Sequence, residues 1–332
     1  MLSVLCTLQA LDRSKRLRHE APLNSNLTDE LLDLWLPIFD GAIDLTREAL
    51  LGAEVPHSLI TVYTRRLNGR LAGACLVASS HATPSIGGLG EVATTPAARR
   101  TGIATALTQQ ALDDFEARGG QALFLGTVNP AAARIYHRLG WRKLAGARLM
   151  LKVASGASPE EWFVDYFRAL RTASVEVRAL TPADRAPMIP LLVAPHDWHT
   201  LDANTDMKST RYAIQDSCLG LYRRYAAIAA DGRGAWFVAS ADGGQAVGLS
   251  TARLDDAGDC RVDGFTSRDH IAYWQTLIRA AADWASSQTA ARVYANVAVE
   301  DEEKRGMFEA LGFRARHDGG NLQLREQVLE LV

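Results

Sequence analysis

Two rhythms of hydrophobic and polar residues run through this chain. Between Gly102 and Arg118, Ile103, Ala106, Leu107, Ala111 and Phe115 recur at helical spacing, and Gly119-Gly120 ends the run. Upstream, LITVYTRRL and LAGACLVASS are rich in β-branched residues and joined by Asn68-Gly69, the dipeptide of tight hairpins. IGGLGEVATT reads as a further strand stopped by Pro96, QALFLGTV as a short strand, AAARIYHRL as a short helix and WRKLAGARLMLKV as a closing strand or hairpin. Ahead of them, NLTDELLDLWLPIF reads as a helix capped by Asn26 or Thr28, with a second helical run to about Leu51. Helices, hairpin strands, then β-α-β-α-β predict a mixed sheet with helices on both sides.

The second half repeats this order. SVEVRALTP reads as a strand and DRAPMIPLLV as a helix, with a longer helical stretch from about Met207 to Ala229. AWFVASADGGQAVGLSTARL reads as strand–turn–strand, CRVDGFTS as a strand and Ile271 to Ser286 as a helix. RVYANVAV, DEEKRGMFEALG and FRARHDGGNLQLRE follow as strand, helix and hairpin. One fold written twice is the simplest account. Between the copies, Ser158 caps a connector helix carrying Trp162, Phe163, Tyr166 and Phe167. So many aromatics predict that it packs between or against the domains. The expected boundaries are residues 1–153, a connector at 154–173, and 174–332.

Composition narrows the class. The 332 residues are 22% charged and 48% hydrophobic, with a net charge of −2, which fits a soluble globular protein and argues against a general nucleic-acid binder. Cys6, Cys75, Cys218 and Cys260 lie far apart with no CxxC pair, against a zinc site or a disulfide framework. MLSVLCTLQAL is apolar, but the basic run RSKRLRH follows it, the reverse of a signal peptide. No segment is long enough to span a membrane. A cytoplasmic protein without a membrane partner is expected, as monomer or homodimer.

Candidate chemistry gathers at two places. ATTPAARRTGIATAL crowds a proline, two arginines and a glycine before a helix start, where free N–H groups and the helix dipole attract anions. Within it, Arg99-Arg100-Thr101-Gly102-Ile103-Ala104 is R-x-x-G-x-A. After the next strand comes NPAAARIYHRLGW, with Asn129, Ala132, Tyr136, Gly140 and Trp141 in the pattern Asn-x-x-Ala-x-x-x-Tyr-x-x-x-Gly-aromatic. Together these resemble the GCN5-related N-acetyltransferase (GNAT) superfamily over about residues 16–152, with Trp141 in place of the family's Phe.

The resemblance implies an α/β (α+β) fold made of two tandem GNAT folds, each a mixed, mostly antiparallel sheet flanked by helices. It implies acetyl-CoA as co-substrate, its pyrophosphate held by N–H groups from Arg99 to Ala104, including Arg100, Thr101, Gly102 and Ile103. Gly102 and Ala104 are expected to let the backbone approach the anion. The strand before the loop, with Val92, Ala93 and Thr94, is expected to hydrogen-bond the pantetheine arm. Asn129 and Ala132 complete the cofactor side, Asn129 helping to hold a splayed strand. Tyr136 is implied as the acid that protonates the departing thiolate. Glu91, the only acidic residue of its strand, is a candidate base, directly or through a water; the other readings are an arginine partner or a side chain turned away from the cleft.

Other patterns have plainer readings. Gly88-Leu89-Gly90-Glu91-Val92-Ala93 spells GxGxxA but leads into a strand, which excludes the dinucleotide fingerprint. His196 and His199 are read as loop polar groups rather than metal ligands, the run Arg13 to Arg18 as a solvated arm, and His57, His81 and His137 carry no functional reading. In the second copy Asp301 stands where Asn129 stands, Phe308 replaces Tyr136, and DGFTSRDHIAYW lacks the R-x-x-G-x-A pattern. A phenyl ring donates no proton, and Asp269 is expected to repel a phosphate. The second copy is therefore read as degenerate, walling the acceptor pocket or replacing a dimer partner. The expected activity is acetyl transfer to a primary amine of a small molecule, by direct attack in a ternary complex without metal. A peptide or protein amine is the alternative acceptor, and a non-catalytic acyl-CoA sensor the alternative class.

Overall fold

The computed structural model describes residues 16–315 and 326–331. Two compact units divide them. The first holds residues up to Leu144, Arg148–Pro159 and the short segment Asp216–Gly220; the second holds Ala145–Ala147, Glu160–Gln215 and the residues from Leu221 onward.

In the first unit the chain runs β1 (Arg16–Glu20), α1 (Ser25–Ile38), α2 (Arg47–Leu50), β2 (Ser58–Leu67), β3 (Arg70–Ser80), β4 (Ile86–Thr94), α3 (Ile103–Ala117), β5 (Ala122–Gly126), α4 (Pro130–Arg138), β6 (Arg142–Lys143) and β7 (Leu149–Val153). The sheet order is β1-β2-β3-β4-β5-β7-β6, and only β4 and β5 are parallel. Asn68 and Gly69 both take left-handed backbone angles, φ 50° and 80°, the geometry a two-residue hairpin turn needs. Leu107, Ala111 and Phe115 of α3 bury against Tyr63, Cys75, Val77 and Leu89, so the helical stripe read from the sequence forms half of this core. The indole of Trp141, fully buried, donates to Leu123 O at 3.0 Å, which satisfies its one polar group.

The second unit contains α5 (Pro159–Leu170, from Glu160 on), β8 (Val175–Ala179), α6 (Met188–Val193), β9 (Thr200–Asp202), β10 (Met207–Lys208), α7 (Gly220–Ala229, from Leu221 on), β11 (Gly234–Ala241), β12 (Ala246–Leu254), β13 (Cys260–Thr266), α8 (Trp274–Ser287), β14 (Val293–Ala298), α9 (Glu302–Ala310), β15 (Phe313–Ala315) and β16 (Glu326–Leu331). Its large sheet reads β8-β11-β12-β13-β14-β16-β15, with β13 and β14 parallel. This is the strand order of the first sheet, position for position. The two sheets, mostly antiparallel and flanked by helices, are consistent with the tandem folds expected from the sequence.

Several expectations are corrected. The α1 cap is Asn24, whose side chain accepts from Leu27 N at 2.9 Å, two residues before Asn26. Residues 207–219 are not helical; β10 and a loop occupy them before α7. Arg16–Arg18 belong to β1, paired with β2, rather than to a solvated arm, and Arg18 Nε donates to Asp114 Oδ2 at 3.0 Å. A 3-10 turn at Arg268–Tyr273, kinked at His270, precedes α8. Tyr166 and Phe167 of α5 pack with Leu170 on Ala239, Val247 and Leu277, so the connector is part of the second unit's core. The segment MLSVLCTLQAL, Cys6 and the turn of the last hairpin lie outside the described residues.

The glycines of IGGLGE gain a reason. A Cβ on Gly88 would stand 2.4 Å from Leu219 Cδ2 and 2.6 Å from its Cγ, and one on Gly90 would stand 3.2 Å from Leu219 Cδ1. The two glycines form a socket for the fully buried Leu219, which anchors Asp216–Gly220 to β4. Gly88→Ala is expected to cost about 1–3 kcal/mol by overpacking and Leu219→Ala about 2–5 kcal/mol by the cavity it leaves. Because the new methyl fills that cavity, the double variant should lose less than the sum in denaturant titration. Strict additivity would mean that the socket does not hold the segment.

Candidate active site

The parallel ladder between β4 and β5 runs from Ile86↔Ala122 to Leu89↔Leu125. On its other side β4 stays paired with β3 through Ala74↔Ala93 and Gly73↔Thr94. A cleft of about 480 Å³ is lined by Glu91, Val92, Asn129, Ala132 and Tyr136, together with Asp44, Leu125, Arg148, Asp216 and Ser217. Five of the residues singled out from sequence are thus brought together.

Glu91 sits in a bulge of β4: between Ala74↔Ala93 and Leu76↔Gly90 the register shifts, and Glu91 takes φ 49°. A non-glycine in that region is strained, and bulges turn a side chain out of its regular alternation. The carboxylate Oε1 accepts from Asp44 N at 2.6 Å. A main-chain amide is thus one partner of this carboxylate. Tyr136 is 6% exposed and stacks obliquely on Trp141, ring centroids 6.2 Å apart. Burial first, then the neighbouring thiols Cys75 and Cys218, push its phenol well above the usual tyrosine value, so it holds its proton.

Asn129 also has a local structural use. Its Oδ1 accepts from Ala131 N at 2.9 Å and Ala132 N at 3.5 Å, capping α4. Ala132 packs on the core beneath the cleft.

The residues Arg99 to Ala104 do not line this cleft; Gly102 borders another, of about 820 Å³, with Arg18, Tyr63 and Thr105. Here α3 starts at Gly102, φ 85°, without a side-chain cap, whereas α1 and α4 are capped by Asn24 and Asn129. Its first N–H groups have no side-chain cap and suit an anion. A Cβ on Gly102 would meet no protein atom within 4 Å, and its left-handed φ favours glycine. Arg100 also takes a left-handed φ of 64°. Arg99 Nε lies 3.5 Å from Thr94 O, Thr101 Oγ1 donates to Ala98 O at 2.7 Å, and the Ile103 side chain is buried, leaving only its backbone for a ligand.

The second unit differs at the corresponding pair of parallel strands. The β13–β14 ladder ends at Arg261↔Tyr294, and beyond it lies a buried cluster. Lys304 Nζ, fully buried, is 2.6 Å from Asp263 Oδ1 and donates to Thr200 O and Leu201 O at 2.9 and 3.3 Å. Asp202 accepts from Thr251 Oγ1 at 2.9 Å. Asp301 accepts from His199 N at 2.7 Å and Thr200 N at 3.2 Å. Phe308 packs edge-on against Trp274 and Phe313. Asp269 pairs with Arg171 Nε at 2.9 Å, so its charge is compensated and the expected repulsion weakens. His196 Nε2 lies 2.7 Å from Leu191 O, and His199 stacks on Tyr212.

Sequence reading missed Asp44, Arg148, Asp216 and Ser217. Asp44 and Arg148 fall in stretches without a motif, and Ser217 is far away in sequence. The one available signal was glycine inside a strand, which marks close approach by another segment without naming it.

Residues 26–141 match the family described as "Acetyltransferase (GNAT) family". No curated protein matches the chain. Solved structures similar to it include the GNAT domain of S. lividans PAT, at 13% identity, covering 47% of this chain and 89% of that one with TM-score 0.35. A GNAT-family acetyltransferase from Staphylococcus aureus shows 11% identity, 48% and 100% coverage and TM-score 0.35. A variant of the spermidine N-acetyltransferase from Vibrio cholerae shows 17% identity, 47% and 92% coverage and TM-score 0.36. The family match covers residues 26–141 alone, and the class of enzyme that this family's description names is the acetyltransferase. Among the described residues no helix is long and apolar enough to cross a membrane.

Proposed function

We propose that the protein is an acetyl-CoA-dependent N-acetyltransferase of small-molecule amines, acting in the cytoplasm with the first unit as its catalytic half. The observation that carries this reading is the cleft beyond the Leu89↔Leu125 pair, lined by Glu91 and Tyr136. The acyl donor lies along Val92–Thr94, with its pyrophosphate on the N–H groups of Arg99–Ala104 and the adjoining arginine charge. Glu91 accepts a proton from the incoming ammonium, directly or through a water. The neutral nitrogen attacks the thioester carbonyl carbon, and the tetrahedral intermediate collapses by breaking the C–S bond. Tyr136 gives its phenolic proton to the departing thiolate, and the second proton shed by the attacking nitrogen as the amide forms balances the one that returns to Tyr136. Burial makes the phenol a weaker acid, yet the same burial raises the proton affinity of a thiolate beside it, so the transfer stays balanced.

The second unit is proposed to be silent. Beside β13 lie β9 and the Lys304–Asp263 pair, and Phe308 offers no proton. Thiol release from acetyl-CoA with a panel of primary amines, together with CoA titration by calorimetry, tests both points. One CoA per chain and amine-dependent thiol release are expected. Two CoA per chain would overturn the silent second unit, and tight binding without turnover on any amine would overturn the enzyme.

A further inference from the structure

From Ala117 to Pro159 the chain carries seven lysines and arginines and no aspartate or glutamate. Helix α4 and strands β6 and β7 fall inside this run and border a pocket of about 720 Å³ in the first unit. Arg134, His137, Arg138, Lys143 and Arg148 line it, and among the described residues no carboxylate does. Leu149 and Met150 add apolar surface. Helix-end electrostatics account for part of this charge, since His137 and Arg138 stand in the last turn of α4, where the dipole favours cations. Arg134 stands a turn earlier and Lys143 lies on β6, so neither gains from it. Arg134 and Arg138, four apart on one helix, repel each other. Among the described residues, Arg134, Arg138 and Lys143 form no ion pair. Cations gathered around a cavity without a counter-charge are the makings of an anion site.

The pocket is continuous with the cleft. Thr127, Val128, Asn129 and Arg148 line both. The charge reverses between them, because Asp44, Glu91 and Asp216 line the cleft. Those carboxylates are tied to protein groups. Glu91 Oε1 accepts from Asp44 N, Ser217 Oγ donates to Asp44 Oδ1 at 3.3 Å, and Asp216 pairs with Arg148 at 3.1 Å. A Cβ on Gly126 would stand 3.1 Å from Ser217 Cα, so the Ser217 segment lies against the end of β5, just before the shared residues. A molecule that occupies both spaces meets carboxylates at one end and cations at the other.

We infer that the pocket bordered by α4, β6 and β7 is a second subsite for the acceptor, and that the acceptor is an amine whose far end carries an oxyanion, a carboxylate or a phosphate. This rests on the acetyltransferase reading above. The amino group sits by Glu91, the body of the molecule passes Val128, which is 74% exposed, and Arg134, Arg138 and Lys143 hold the oxyanion. Guanidinium suits either oxyanion, because its N–H fork matches their paired oxygens. A bounded space of this size suits a small molecule.

The test offers wild type four series of graded chain length: ω-amino carboxylates, ω-aminoalkyl phosphates, ω-amino alcohols and α,ω-diamines. An anionic series should be preferred to the alcohols in kcat/KM by about tenfold or more, the scale of a hydrogen bond to a charged group. The preference should shrink as salt rises. Which anionic series leads tells carboxylate from phosphate. Arg134→Gln and Arg138→Gln, both at exposed positions, should each raise the KM of the anionic acceptor several-fold, with the KM values of the alcohol and of acetyl-CoA unchanged. Equal use of anionic and neutral acceptors, a preference for diamines, or an anionic preference that survives both substitutions would overturn the inference alone. A parallel rise in the KM for acetyl-CoA would assign the cations to the cofactor's phosphates. Faster transfer to a lysine peptide flanked by glutamates than to every small anionic amine would assign them to a protein acceptor. Either result overturns the inference. No transfer by wild type to any amine would overturn the acetyltransferase reading and this inference with it.

Discussion

Tyr136→Phe is expected to lower kcat by about 10²–10⁴-fold, the contribution typical of a positioned general acid, while leaving CoA affinity within a few-fold of wild type. The substitution removes one oxygen and preserves the ring that packs on Trp141, so thermal stability should change little. The pH profile separates this role from a structural one. Because burial raises the phenol's pKa, Tyr136 stays protonated through the range where an ordinary tyrosine ionises, near pH ~10. Wild-type kcat should therefore show no alkaline loss from Tyr136 below that range, and the deficit of the variant should be constant across pH 6–9 (about three units of the assay range). Equal kcat for wild type and variant at every pH would remove Tyr136 from the mechanism.

Lys304→Met should destabilise the second unit by about 3–5 kcal/mol, the cost of breaking a buried ion pair from one side. Methionine keeps most of the stem's volume but leaves Asp263 and Asp202 facing each other without a cation. Burial, followed by the effect of Asp263, already holds the Asp202 carboxyl above the ordinary carboxylate range, and burial raises Asp263 too. The sign follows from linkage: a carboxyl with a raised folded-state pKa binds more protons folded than unfolded, so its unfavourable effect grows as pH rises above ~4. The loss in the variant should be greatest at alkaline pH and shrink as pH falls. Calorimetry resolving the second unit's transition at several pH values measures this. A cost below ~1 kcal/mol, in the range of an exposed pair, would show that Lys304 does not secure the cluster.

Much of the architecture was legible because local chemistry agreed with the final fold. Asn68-Gly69 specified its turn, and the stripe Ile103 to Phe115 specified the buried face of α3. Failures fell where non-local contacts overrode local pattern. Residues 207–219 carry a helix-compatible composition, but Leu219 and Ser217 are held by contacts with β4, β5 and Asp44, which no window of neighbouring residues contains. The motif residues of the site were readable as types at fixed spacing. Their local structural uses were less so: the spacing did not show that Gly102 takes a left-handed backbone or that Asn129 caps its own helix. Asp44 and Ser217 join across most of the chain and had no signature to read.

The inclusion of Asp216–Gly220 in the first unit has a consequence for the order of assembly. On the ribosome the amino-terminal region emerges first, and every strand of the first sheet is available once Val153 has left the exit tunnel. Leu219, which closes the socket on Gly88 and Gly90, follows only after most of another sixty-odd residues (153 to 219). Until then the cleft lacks one wall and the apolar socket stays open to water. The half that carries the proposed chemistry thus matures late, timed by translation of part of the half that follows it.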